Sequence, residues 1–486
     1  MRTSLTHPLQ IATLCPDAGM GRIGITFCPG KVQAGAMTGN WNRDLGLDLD
    51  AVRDWGAVVV VTLIEDHELE TLQVQGMGDA VRKRHMDWMH LPIPDVSVPG
   101  PSFERAWTDC GPDLLGRLRC GFDVLVHCKG GLGRAGTIVA RLMVELGHAP
   151  QAAIDAVRAA RPGAIETVEQ ERYVRTLTPL PEATPATTEA AIRDRAVGAL
   201  LGLAVGDAIG TTLEFRSRDS YAPLTDMVGG GPFGLKPGEW TDDTAMALAL
   251  ADSLVEAPVL DERDLMQRFV DWHEKGTYSC TGHCFDIGMT TRQALARWKR
   301  SGDPMAGSTD PMSAGNGSLM RLAPAAIRHW RDRARLRDVA ARQSRTTHAA
   351  PEAVDACVTW AELLADAIEG QPRSAVLRNR PGEYAGAIDG IMAGSWRSKP
   401  RHAIRATGYV AHSLEASLWS IGASGDFASA VLRAANLGED ADTTAAIAGQ
   451  LAGALYGAEA IPVQWWQRLA WADRIEVLVG QLFDAS

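Results

Sequence analysis

Long uninterrupted apolar runs are scarce in this sequence. The strongest, Val58 to Leu63, falls far short of the roughly 20 residues a helix needs to cross a bilayer, so no membrane partner is expected. Met1 to Cys15 is broken by Thr3, Thr6, His7, Pro8 and Gln10 and lacks the apolar stretch of a secretory signal, which predicts a cytoplasmic protein. Basic runs are also missing, and 48 Lys and Arg against 59 Asp and Glu leave a formal charge of -11. That charge repels a phosphate backbone at long range and disfavours general nucleic-acid binding. Eight cysteines, Cys15, Cys28, Cys110, Cys120, Cys128, Cys280, Cys284 and Cys357, are too dispersed for a secreted disulfide framework, so reduced thiols are expected. Cys280 and Cys284 can share a helix face, but no second Cys or His pair completes a zinc site, and both read as packing residues.

What remains is an ordinary globular composition, 46% hydrophobic and 22% charged, over 486 residues, more than one core usually organises. Two domains follow. The stretch LTPLPEATPATTE, with three prolines and four threonines, interrupts the periodic apolar pattern and predicts domains at 1–176 and 190–486 joined by a linker at 177–189. Before it, Val-rich runs such as Ala57–Leu63 and Asp123–Val126 alternate with helical stretches such as Thr137–Leu146, which predicts an α/β fold on a largely parallel sheet. After it the pattern is helical, with Ala, Leu and Gly at three- and four-residue spacing in Ala196–Ala208, Ala245–Leu254 and Ala445–Tyr456. This predicts an all-α domain whose small residues let helices approach closely, and no fixed period indicates a solenoid.

The segment FDVLVHCKGGLGRAGTIVARLMVELG, Phe122 to Gly147, reads as a buried strand, a glycine-rich turn and an amphipathic helix. Backbone N–H groups from Lys129, Gly130, Gly131 and Gly133, with the positive end of the helix dipole, can converge on an oxyanion and lower the pKa of the Cys128 thiol. Arg134, six residues on, can fork across two phosphate oxygens. This Cys-x5-Arg pattern, preceded by His127, resembles the protein tyrosine and dual-specificity phosphatases, which pass through a phosphocysteine intermediate. The resemblance implies a cysteine-phosphatase fold over roughly residues 20 to 176 and a phosphomonoester substrate. It makes Asp95, in the proline-stiffened LPIPDVSVPG, the general acid, with Asp66 the poorer alternative and an Asp-capped turn the bland one. Gln170, in RPGAIETVEQERYV, would orient the hydrolytic water. Ala135 departs from the family, which has Ser or Thr after the arginine to support the leaving thiolate, and Thr137 is the nearest substitute.

In the second half, GEWTDDTAMAL at Gly238–Leu248 and GEDADTTAA at Gly438–Ala446 each place acids and hydroxyls before an apolar helix. Taken alone, either is explained as an N-cap. Together they are hard oxygen ligands suited to Mg²⁺ or Mn²⁺, because adjacent carboxylates in a packed domain repel unless cations neutralise them. With AVGALLGLAVGDAIGTTLEF at Ala196–Phe215, these motifs resemble the ADP-ribosylglycohydrolase family typified by the dinitrogenase reductase-activating glycohydrolase. The resemblance implies two metal ions held by Thr241, Asp242, Asp243, Asp440, Asp442 and Thr443, with Glu214 as the acid working beside them. It places Gly315, Asn316, Gly317 and Ser318 near the diphosphate, where a plain glycine turn is equally open, and makes Asp286, His348 and Tyr409 pocket residues. The expected protein is a bifunctional hydrolase acting on an ADP-ribosylated protein or small molecule and on a phosphomonoester. The alternative is an active glycohydrolase carrying a phosphate-capturing module that does not turn over.

Overall fold

The computed structural model describes residues 1–36, 39–257 and 259–486, and two units are distinct. The first takes Met1–Ala183 with Arg397–Pro400, the second Thr184–Trp396 with Arg401–Ser486.

The first unit has the α/β layering that its alternating runs predict. Its strands are β1 (Ala12–Leu14), β2 (Ile23–Phe27), β3 (Val32–Ala36), β4 (Gly39–Asn42), β5 (Ala57–Thr62), β6 (Asp87–His90) and β7 (Asp123–Cys128). Five form one sheet in the order β1-β2-β7-β5-β6, parallel except for β1, while β3 and β4 pair separately. Every residue of β2, β5 and β7 is buried, which is why β5 reads as a continuous run and not as an alternating one. Because β7 sits between β2 and β5, its carboxyl end opens at the edge where parallel sheets place their ligands. That end is Cys128, and the chain turns there into the helix Gly133–Glu145.

The second unit is helical. Its central pair is Glu189–Gly210, capped by Thr188 within the expected linker, against Ala441–Tyr456. Their glycines explain the contact: an added Cβ would stand 2.3 Å from the Gly453 carbonyl oxygen at Gly198, 2.3 Å from that of Gly449 at Gly202, and 2.1 Å from that of Ala445 at Gly206. The descending partner numbers make the helices antiparallel and backbone-close. Gly202→Val should therefore destabilise this unit by about 1–3 kcal/mol, read as a lower urea midpoint of the helical unit's transition. An unchanged midpoint would show that the interface has slack. The segment Glu189–Leu213 is long and apolar enough by composition to cross a membrane, but its apolar window is 89% buried within the protein, as a core helix requires. The interrupted apolar run hid this length from the sequence pattern. The close crossing brings Asp207 and Glu214, at the carboxyl end of one helix and just beyond it, to the amino end of the other, where Asp440 and Asp442 stand.

Candidate active sites

In the α/β unit the loop after β7 curls back on its own thiol. The Gly131 N–H donates to Cys128 Sγ at 3.2 Å. Gly131 adopts φ +69°, and a Cβ there would lie 2.5 Å from the Thr26 carbonyl carbon, so only glycine fits. At Gly133 a Cβ would meet Glu166 Oε2 at 2.4 Å and Gln170 Nε2 at 3.0 Å, whereas Gly130 has open space around it. The Lys129 carbonyl is held from behind by the Lys31 ammonium at 3.2 Å. Burial drives the His127 imidazole down to about 3, so it stays neutral near pH 7, with Nε2 2.8 Å from the Thr62 hydroxyl.

Arg134 is buried at the start of the helix. Its Nη1 donates to Glu68 Oε2 at 2.6 Å and to the Ile93 carbonyl at 3.0 Å, and its Nη2 donates to Glu68 Oε1 at 3.0 Å. Nη2 also lies 2.9 Å from Oδ1 of Asp95, whose side chain is 55% exposed. The guanidinium thus joins the start of the helix after β7 to the loop carrying the expected acid. Asp66 is exposed and 3.8 Å from His90. Gln170 accepts from the Glu166 and Thr167 N–H groups and donates to the Ser97 carbonyl at 3.2 Å, so its amide closes a capping box and braces the acid loop. Thr137 donates to the Gly133 carbonyl at 2.8 Å, a bond along its own helix.

Glu68 carries no motif and was not anticipated. Burial alone would raise its pKa, but hydrogen bonds from Arg134 and the Glu65 backbone overcome this and hold it below the ordinary carboxylate value. Its contribution to stability is present above the normal Glu range and is lost as pH falls through the lowered pKa. Glu68→Ala leaves the buried guanidinium with only the half-exposed Asp95 and the Ile93 carbonyl as partners and should cost about 1.5–3 kcal/mol at pH 7, less in acid, as measured by denaturant unfolding at the two pH values. An equal loss at both would sever the effect from the ion pair.

In the helical unit, acids from three segments converge. Carboxylate oxygens of Asp207, Asp243 and Asp442 lie within 4.8 Å of one another, as do those of Glu214, Asp440 and Asp442, so the two clusters share Asp442. Thr241 Oγ1 is 3.3 Å from both Asp243 Oδ2 and Asp442 Oδ2, and Thr443 Oγ1 is 3.4 Å from Asp243 Oδ2. Burial pushes the carboxyls of Asp207 and Asp440 up to about 7 and that of Asp286 to about 11, with the neighbouring Asp442 adding to it. Burial and negative neighbours also raise Glu214, Asp242 and Asp243. Asp243 Oδ1 is fully buried with no hydrogen-bond partner among the described residues. Such an oxygen, within a set of hard oxygen donors free of Cys and His, fits a divalent cation of the magnesium type.

A cavity of about 470 Å³ opens over these acids, lined in part by Glu214, Asp242, Asp286, Asp440 and Thr443. Gly315, Asn316, Gly317 and His348 line another part of it. Asn316 Nδ2 donates to Asp440 Oδ2 at 2.7 Å and to Ser413 Oγ at 2.8 Å. A Cβ on Gly317 would stand 2.8 Å from His348 Cε1, so the turn presses its backbone onto the imidazole. Of the expected ligands Thr241, Asp243 and Asp442 lie off the lining, as do two expected pocket residues. Ser318 points into the core, 2.9 Å from Ser344 Oγ, and Tyr409 donates its hydroxyl to Glu352 at 2.6 Å.

The family profile described as ADP-ribosylglycohydrolase matches residues 188–486. This chain belongs to the ADP-ribosylglycohydrolase family. A second profile, the DSP-PTPase phosphatase domain of Swiss Army Knife proteins, matches residues 35–174. The glycohydrolase part is 48% identical over 295 residues to the ADP-ribosylarginine hydrolase of Pseudomonas putida, covering 60% of this chain and 79% of that protein. The α/β part is 30% identical over 135 residues to cyclin-dependent kinase inhibitor 3 of Rattus norvegicus, covering 27% of this chain and 62% of that protein. A solved structure titled ADP-ribosylglycohydrolase-related protein complex superimposes with a TM-score of 0.55 at 39% identity, covering 61% of this chain and 99% of that one.

Within the acid cluster of the helical unit, Asp207 is the residue the sequence did not single out. Both its oxygens are engaged: Oδ1 accepts from the Thr241 N–H at 2.9 Å and hydroxyl at 2.8 Å, and Oδ2 from the Thr244 N–H at 3.0 Å and hydroxyl at 2.7 Å. Four donors leave it orienting the TDDT segment. A lone carboxylate in the apolar run AVGDAIG was the available signal.

Proposed function

We propose that the chain is a bifunctional cytoplasmic hydrolase whose helical unit, with two Mg²⁺ or Mn²⁺ ions, cleaves the C1 glycosidic bond of ADP-ribosylated arginine on a protein or small molecule. Its α/β unit would hydrolyse a phosphomonoester through Cys128. The observation that carries the first activity is the orphaned Asp243 Oδ1 among carboxylates gathered from distant parts of the chain. Thr241, Asp242, Asp243, Asp440, Asp442 and Thr443 would hold the ions. When bound, these ions supply Lewis-acid stabilisation and a template for the ribose hydroxyls.

The protein's own groups do the rest. Asp207 fixes Thr241 and Thr244, and Asn316 fixes Asp440 by its amide hydrogen bond. Glu214 Oε2 accepts the Ala441 N–H at 2.8 Å, which aims the carboxyl at the cavity it lines. From there it moves a proton, off the attacking water or onto the departing guanidino nitrogen. The Gly315–Gly317 backbone is available to the diphosphate, and His348 backs that turn. The arginine linkage is favoured by the similarity to the Pseudomonas putida hydrolase.

For the α/β unit, the Gly131 N–H on Cys128 Sγ and the forked Arg134 support turnover: the thiolate attacks phosphorus, Asp95 protonates the leaving oxygen, and water then releases phosphate. The metal-site reading is tested by ADP-ribose release from arginine-, serine- and nucleotide-linked substrates with and without Mg²⁺ or Mn²⁺. Metal-dependent release from the arginine substrate is expected, and release undiminished by chelator would sink it.

A further inference from the structure

Phe215 directly follows Glu214, lines the same cavity, and is 67% exposed. Its centroid is 6.3 Å from that of Phe233, nearly edge-on at 74°. Phe233 in turn meets Phe285 at 5.2 Å, and Phe285 directly precedes Asp286, another lining residue. Two acids of the cavity thus each carry a neighbouring phenylalanine, and the two rings meet a third, so the exposed Phe215 ring on the lining is backed by Phe233 and Phe285 behind it.

The backbone holds this ring in place against its own preference. Phe215 at φ 59°, Asp286 at φ 60° and Glu439 at φ 62° are left-handed non-glycine residues, and all three line the cavity. The Phe215 N–H donates to the Glu439 carbonyl at 2.8 Å, and the Glu439 N–H donates to the Arg216 carbonyl at 2.8 Å, two bonds that tie the backbone carrying the exposed ring to that of Glu439. The cavity lining holds five carboxylates, Glu214, Asp242, Asp286, Glu439 and Asp440, and no lysine or arginine. The nearest ion-pair cation to Glu439, Arg218, is 4.0 Å away. Asp242 and Asp440 belong to the expected ligand set and Glu214 is the acid proposed to move the proton, which leaves Asp286 and Glu439 beside the rings.

We propose that the exposed ring of Phe215, backed by Phe233 and Phe285, forms with Asp286 and Glu439 a subsite that takes the guanidinium of the leaving arginine. The inference rests on the arginine reading of the helical unit and names the residues that select it. A guanidinium is planar, permanently charged and weakly hydrated, and it stacks on aromatic faces while pairing with carboxylates. An ester-linked or serine-linked ADP-ribose offers no cation there. The reaction balances as hydrolysis: the bond from C1 to the guanidino nitrogen breaks, water adds at C1, and its proton leaves with the nitrogen.

The test uses the full chain with Mn²⁺ and two small probes, ADP-ribosylarginine as substrate and ADP-ribose, which lacks the guanidinium, as competitive inhibitor. Phe215→Leu should raise KM for ADP-ribosylarginine by about fivefold to tenfold and shift the inhibition constant of ADP-ribose far less, and Phe215→Tyr should restore KM. Phe233→Leu, which removes the ring bridging the other two, should move KM in the same direction. Equal shifts in KM and in the inhibition constant would place the ring against the adenosine and overturn the proposal. A KM that moves only with ADP-ribosylated protein, and not with the small substrate, would overturn it in favour of a protein-docking lip. Wild-type protein that releases nothing from ADP-ribosylarginine would remove the arginine reading and this inference together, whereas active wild type with an unmoved KM removes the inference alone.

Discussion

Asp243→Asn should cut metal-dependent ADP-ribose release by about a hundredfold to a thousandfold, and should do so while making the metal-free protein more stable. The two effects have one origin. Asp243 is buried among Asp207, Asp242, Asp440 and Asp442, and its Oδ1 has no hydrogen-bond partner among the described residues. Without a cation this oxygen is a cost, through lost hydration and through repulsion by its neighbours. An amide of the same shape removes the charge, so Tm in chelator should rise above that of the wild type. Added Mg²⁺ should then raise Tm strongly in the wild type and little in the variant, because only a site that binds the ion stabilises through it. Equal magnesium-dependent shifts in the two proteins would mean that Asp243 does not hold a metal.

The second large effect is expected in the other unit. Cys128→Ser should abolish steady-state phosphate release from p-nitrophenyl phosphate, a loss on the order of a thousandfold or more, because an alcohol in the same cradle is a far weaker nucleophile than a thiolate. ADP-ribose release should be unchanged, since Cys128 and the acid cluster lie in different units. The wild-type time course separates the two readings of this unit. Ala135 offers no hydroxyl to the departing thiolate, and the Thr137 hydroxyl is bonded to the Gly133 carbonyl. Continued release means that the Gly131 N–H and the loop field suffice for turnover. A burst of one equivalent without further release would make the unit a phosphate-capturing module.

The parts of this protein that were legible in its sequence are those where chemistry is concentrated in one short segment. Cys128, the loop glycines and Arg134 share a single strand-turn-helix, so spacing alone places the thiol and the guanidinium together. The TDDT and DADTT segments each announce themselves as acids ahead of an apolar helix, and the glycines of Ala196–Gly210 foretell a close crossing. What escaped notice depends on side-chain direction or on a partner far along the chain. Glu68 looks like any acid on a short exposed-seeming helix until Arg134, 66 residues later, lands on it. Asp207 is one carboxylate in an apolar helix, and only folding brings Thr241 and Thr244 onto both its oxygens. Ser318 follows three residues tied to the cavity, yet one further step turns its hydroxyl toward Ser344, and Tyr409 is drawn off by Glu352. Periodicity gives the face of a residue only within a regular element, and Ser318 lies in a turn while Tyr409 stands at the N-cap of a helix.

Diffraction from crystals grown with Mn²⁺, recorded near the manganese absorption edge, tests the dimetal centre most directly. Two anomalous peaks are predicted in the helical unit, one against Asp243 and one against Asp440, with Asp442 between them. An empty difference map at those carboxylates, in crystals soaked to saturation, would contradict the account.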